Sequence, residues 1–91
     1  MSTLKKIIKF PYPHVKLTWW DIQQSNEAWI EANDVVKNDI AVCKDVGYIF
    51  KKTKDKLYLF TSYSYDKEKN LTVGGLTVFP TKTIQKIEII K

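Results

Sequence analysis

From Ile40 to the C terminus, apolar residues recur at every second position in short runs separated by polar or glycine-containing turns, which is the period of strands. The same alternation appears earlier in His14-Val15-Lys16-Leu17-Thr18-Trp19-Trp20. It places Val15, Leu17 and Trp19 on one face and Lys16, Thr18 and Trp20 on the other. Val46 to Lys52, the polar turn Thr53-Lys54-Asp55-Lys56, and Leu57 to Tyr63 read as a β-hairpin. A tight turn on Lys54-Asp55 assigns Val46, Tyr48, Phe50, Leu57, Leu59 and Tyr63 to one face, and Ile49, Tyr58 and Phe60 to the other. Both faces are then apolar, so the second needs a cover: the N-terminal segment, the sheet curling over, or another chain. Asp66 to Asn70 is a charged turn, and Leu71 to Phe79 is a strand interrupted by Gly74-Gly75, where a bulge or sharp bend is expected. Pro80 to Thr83 turns the chain into a last strand, Ile84 to Ile90.

Asp21 to Asn38 breaks this pattern, being polar, acidic and compatible with helix. Ser25 or Asn26 is placed to cap a short helix through Glu27 and Ala32, with Trp29 inserted into the edge of the core and Asn33-Asp34 as a stop. The expected fold is mainly β, a small curled antiparallel sheet or barrel with a short helical insert after the first strand. It forms one domain over residues 1–91, of which 1–13 are an N-terminal extension.

Composition supports folding and limits stability. Of 91 residues, 44% are hydrophobic and 13% aromatic, with three glycines and three prolines, enough apolar surface to offset the entropy of ordering. A chain this short buries only about 60 to 65% of its extended surface, which makes association with itself or a partner an expectation from the start. The single Cys43 and single His14 allow no internal disulfide and no zinc site of clustered ligands, so no metal or cofactor is expected and a reducing, cytoplasmic setting fits. Lys9 and the Pro11 to Pro13 segment cut the early apolar run short of a signal-peptide core, and no stretch reads as a membrane span.

The net charge of +5 is uneven. Residues 1–20 hold four lysines and no acid, residues 21–50 six acids and two lysines, and residues 51–91 nine lysines and four acids. Every basic residue is lysine. Base readout and bidentate phosphate clamps lean on the guanidinium fork, so its absence counts against them, whereas lysine still attracts phosphate without specificity.

Candidate chemistry is thin. His14 stands at a strand start, and Cys43 among Ile40-Ala41-Val42 reads as a small buried hydrophobe. The acids Asp21, Glu27, Glu31, Asp34, Asp39 and Asp45 read as a solvated loop and helix face, and Gly74-Gly75 lacks the spacing of a phosphate loop. The chain therefore reads as a protein that is not an enzyme. What remains is a basic and aromatic hairpin: Tyr48, Lys51, Lys52, Lys54, Lys56, Tyr58 and Phe60, with Phe50, Tyr63 and Tyr65 nearby. Rings beside lysines suit single-stranded nucleic acid, and they equally suit a core flanked by solubilising lysines that guard an edge. Trp20 is a further candidate, because adjacent Trp19 and Trp20 point to opposite faces and one core cannot hold both.

Trp20-Asp21, Ser25, Trp29, Val46-Gly47-Tyr48-Ile49, Gly75, Phe79-Pro80, Ile84, Ile87 and Ile89 together resemble small proteins encoded by bacteriophages and prophages, over roughly residues 15–90. The order of strand, irregular insert, meandering strands, Pro-led turn and closing strand is similar in topology to SH3-like and Sm-like small barrels. The first resemblance implies a viral origin. The leading expectation is an interaction module that binds a host or viral protein, or itself as a homodimer. The alternative is a small barrel that binds single-stranded nucleic acid or a nucleotide through the lysine hairpin.

Overall fold

Five strands form one antiparallel sheet and two more form a hairpin that leaves it, in a computed structural model that describes residues 10–91. The strands are β1 (His14–Asp21), β2 (Ala41–Lys52), β3 (Lys56–Phe60), β4 (Ser62–Tyr65), β5 (Leu71–Gly74), β6 (Thr77–Pro80) and β7 (Ile84–Ile89). The large sheet has the order β6-β3-β2-β1-β7, and β4 pairs with β5. The expected mainly β, antiparallel architecture is present.

A short connection dictates the shape of this sheet. A flat five-stranded sheet separates its edges by four strand spacings, about 19 Å, whereas the four residue steps from Pro80 to Ile84 reach at most about 14 Å. Three of those residues, Thr81–Thr83, form a 3-10 turn, which shortens the reach further. Curling is obligatory. Two irregularities in register assist it, one between Thr18 and Trp19 against β7 and one between Ile49 and Lys51 against β3. The sheet stops short of a barrel, since among the described residues β6 pairs only with β3 and β7 only with β1.

The inner face holds Val15, Leu17, Leu57, Leu59 and Phe79, all buried, with Trp19, Ile49, Ile84 and Ile87 packed against them. The β1 alternation predicts this arrangement correctly, with Val15 and Leu17 inside and Trp20 outside. The faces of β2 differ from expectation: Val46 and Phe50 are exposed, Tyr48 lies on the outer side, and Ile49 points inward beside Leu59. The Phe50 irregularity changes the parity between β2 and β3, which a hairpin drawn with uniform alternation cannot show. Opposite Val15, Leu17 and Trp19 the inward positions of β2, Gly47, Asp45 and Cys43, are small or polar because the neighbours fill the space. A Cβ on Gly47 would stand 2.7 Å from the Phe60 carbonyl oxygen and 3.0 Å from Leu59 Cγ. Asp45 belongs to this face too and departs from the solvated role expected of it: its Oδ2 accepts a 2.7 Å hydrogen bond from Trp19 Nε1.

The outer face has its own core. Phe60 is fully buried, ringed by Phe10, Tyr12, Tyr48, Phe50 and Tyr63 at centroid distances of 5.4 to 6.4 Å. Phe10 stacks on Tyr63 and Tyr12 on Phe50. Part of the N-terminal extension is therefore the cover for the second face, held by the Ile49 N–H donating to the Pro13 carbonyl. Residues 1–9, including the rest of the segment from Leu4, lie outside the described residues.

The insert also departs from expectation. Residues 27–31 form no helix; the helical element is a 3-10 turn at Ala32–Lys37 that buries none of its residues. Trp29 is 91% exposed instead of entering the core edge. A one- or two-turn helix gains little from its own hydrogen bonds, and no sheet face covers this segment to supply the packing it lacks.

β3–β4 and β5–β6 are one long hairpin, bent in the middle. Lys56 pairs with Pro80 and Tyr65 with Leu71, and the same register runs through both halves across the Thr61 and Gly75 corner. Gly75 has φ +66°, and a Cβ there would collide with Thr61 Oγ1. Gly75→Ala is expected to cost about 1 to 3 kcal/mol, read from the urea unfolding midpoint. At the hairpin tip, Asp66 Oδ1 accepts from the N–H of Asn70 (2.9 Å) and of Glu68 (2.8 Å). The Asn70 N–H foremost, then the Asn70 side chain and the Glu68 N–H, hold its carboxyl below the ordinary 3.8. A lowered folded value means that this stabilisation of the turn is full above the ordinary range and fades as pH falls through the lowered value. The protection of the Asn70 amide, its exchange rate relative to the intrinsic rate at the same pH, is expected to fall in that acidic window and to hold steady above it, which NMR can follow.

Candidate functional site

Because the curled sheet does not close, β6 faces the far end of β1 across an open seam. Trp19, Trp20, Asp21, Ile22, Thr77, Val78, Phe79, Pro80 and Thr83 line it as a groove of about 300 Å³. Trp19 forms its inner wall, set edge-on to Phe79 at 5.1 Å between centroids and oriented by Asp45. Trp20, 46% exposed, stands on the outer side beside Val42.

One rim of the seam is the start of the 22–40 loop. Ile22 and Val36 are 87% and 86% exposed, and Val35 and Ile40 are also uncovered. Its internal order is local and polar: Glu27 N–H donates to Ser25 Oγ, Asp34 N–H to the Glu31 carbonyl, and Lys37 pairs with Asp34 at 2.7 Å. Such bonds shape the loop and leave its apolar side chains without partners.

The opposite rim is the β2–β3 turn. Thr81 ties it to the seam, donating through its N–H to the Asp55 carbonyl at 3.0 Å and through Oγ1 to the Lys54 carbonyl at 2.5 Å. Thr53 Oγ1 accepts from the N–H groups of Asp55 and Lys56 and fixes the turn. Lys51, Lys52, Lys54 and Lys56 are all exposed around it.

The residues singled out in the sequence divide into two groups. Trp20 lies in the seam, and the four lysines crowd its basic rim. Tyr58 is half-buried on β3 between Lys51 and Val78. Phe60 has no exposed surface to offer a ligand, and Tyr48 is stacked between His14 and Phe60, so both hold the outer core together. Ile22, Trp29 and Val36 are the residues that sequence reasoning misses as a surface; the signal was present in a polar stretch that carries bulky residues without either strand or helix periodicity. Among the described residues no group of three or more His, Cys, Asp or Glu side chains converges as metal ligands would, and no helix is long and apolar enough to cross a membrane.

Trp29→Ala is expected to leave the unfolding midpoint within about 0.5 kcal/mol of the parent, whereas Phe60→Ala costs about 3 to 5 kcal/mol. Equal losses in denaturant titrations would make Trp29 a residue of the fold and remove it from the surface. Comparison of the chain with family models, curated proteins and solved structures returned no match.

Proposed function

We propose that the chain is a non-enzymatic interaction module of bacteriophage or prophage origin, in which a curled β scaffold presents the open seam and the 22–40 loop to a protein. The observation that carries the binding role is Trp29, an indole 91% exposed on a loop without a buried residue, whose first residue, Ile22, lines an apolar groove. An exposed tryptophan contributes nothing to the core and supplies a large contact area at low entropic cost when a partner covers it. Ile22 and Val36 add exposed apolar surface on the same loop, and Trp20 lines the groove with Ile22. The viral origin rests on the landmark residues from Trp20-Asp21 to Ile89 alone.

The four exposed lysines on one turn favour a second reading, attachment to single-stranded nucleic acid or a nucleotide. Three of the rings near that turn, Tyr48, Phe60 and Phe50, are engaged with other rings, which leaves the half-buried Tyr58 to serve it.

Cross-linking and mass analysis of complexes in nuclease-treated lysate, wild type against Trp29→Ala, separates the two readings. A protein adduct that survives nuclease treatment and is lost in Trp29→Ala supports the loop surface. Salt-sensitive binding of a labelled oligonucleotide, abolished when Lys51, Lys52 and Lys54 become alanine and unaffected by Trp29→Ala, replaces it with the second reading.

A further inference from the structure

The two segments that adjoin the seam, the loop that begins with Ile22 in its lining and the turn tied to Thr81, carry opposite charge. Residues 22–40 hold four acids and one lysine; residues 51–56 hold four lysines and one acid. Among the described residues, the ion pairs are Lys16 with Glu88, Lys86 with Glu88 and Lys37 with Asp34, so none joins loop to hairpin. Between them the groove is mostly apolar, with Trp20, Ile22, Val78 and Pro80 along it and Asp21 as its one charged residue.

A face that is acidic on one side, basic on the other and apolar between is self-complementary under a two-fold rotation about its middle. The rotation sets each loop on the opposing hairpin, and it sets the apolar strip of one copy on that of the other. Other occupants satisfy only half of this pattern. A polyanion that follows Lys51 to Lys56 meets the acids of the adjoining loop, and a cationic partner seated on the loop meets the lysines. A second copy presents both signs in the required order by symmetry.

Resting on the reading of the seam as a protein-binding surface, we infer that its occupant is a second copy of this chain, in a closed two-fold dimer with Trp20 and Trp29 at the contact and Glu27, Glu31 and Asp34 of each loop facing Lys51, Lys52 and Lys54 of its partner. Closure limits assembly to two. The charged rims select the partner and orient it, and burial of the indoles and of Ile22 and Val36 holds it.

Two charge-reversed variants test this. One carries Glu27→Lys, Glu31→Lys and Asp34→Lys, so that both rims are basic; the other carries Lys51→Glu, Lys52→Glu and Lys54→Glu, so that both are acidic. Sedimentation equilibrium of the wild type is expected to show a dimer at about 100 µM and low salt, with a dissociation constant that rises about tenfold or more on moving to about 0.5 M salt. Each variant alone is expected to be a monomer with the parent's unfolding midpoint. An equimolar mixture is expected to restore a dimer of one copy of each, with a blue shift of Trp29 emission. A misfolded variant cannot produce that rescue, and wild type with its salt series stands as a separate test.

A wild-type monomer at that concentration overturns the dimer. If the monomer still forms an adduct with another protein through Trp29, the interaction surface stands and only its occupant is wrong. A wild-type dimer that persists in both variants places the contact elsewhere and also overturns the proposal, as does growth beyond two copies or failure of the folded variants to rescue one another.

Discussion

Four residue steps connect opposite edges of the sheet, and their limited reach governs the rest of the molecule. The sheet has to curl, and the curl creates an inner face that Val15, Leu17, Leu57, Leu59 and Phe79 fill. Full closure would need β6 to pair across the seam, but β1 continues past the start of β7, whose first residue Ile84 stands opposite Trp19. Trp20 and Asp21 therefore meet β6 without a strand between them. The groove follows from the lengths of the strands and needs no special residue to hold it open.

One sheet with two apolar faces requires two covers, and the chain uses different means for each. Curling buries the inner face, largely with aliphatic side chains. Rings bury the outer one: Phe60 sits at the centre, and the chain entering β1 folds Phe10 and Tyr12 over it. Aromatic side chains suit this second task because a few of them cover much area from a short segment. In a protein of this size neither core is large, and each depends on residues distant in sequence. Phe10 and Tyr63, stacked at 4.4 Å, join the first described residue to the projecting hairpin.

Most strands, the Asp66 turn, the bend at Gly74-Gly75 and both faces of β1 were legible because each depends on residues near in sequence; the break at Thr61, which divides the expected Leu57 to Tyr63 strand into β3 and β4, was not. The face assignment of β2 was not, because the irregularity at Phe50 is a property of the pairing with β3 rather than of either strand. Trp29 was misread for another reason. A tryptophan two residues from Glu31 and one from Ala28 looks like the buried side of a helix, and only the absence of a covering face shows otherwise. The lysine rim was visible as a cluster. Its nearness to the groove was not, since that depends on the curl that brings residues 19–22 to 77–83 and on Thr81 holding the turn beside them.

The hairpin that leaves the sheet at Thr61 and Gly75 keeps one register from Lys56–Pro80 to Tyr65–Leu71. Its outer half is thus an appendage of adjustable length. Residues could be gained or lost in matched pairs of two on each leg, and every remaining side chain would keep its face while the corner stayed where it is. Among the described residues, Tyr63 ties this half to the body through Phe10, Tyr48 and Phe60. The same scaffold can therefore carry a longer or shorter arm without re-solving its two cores.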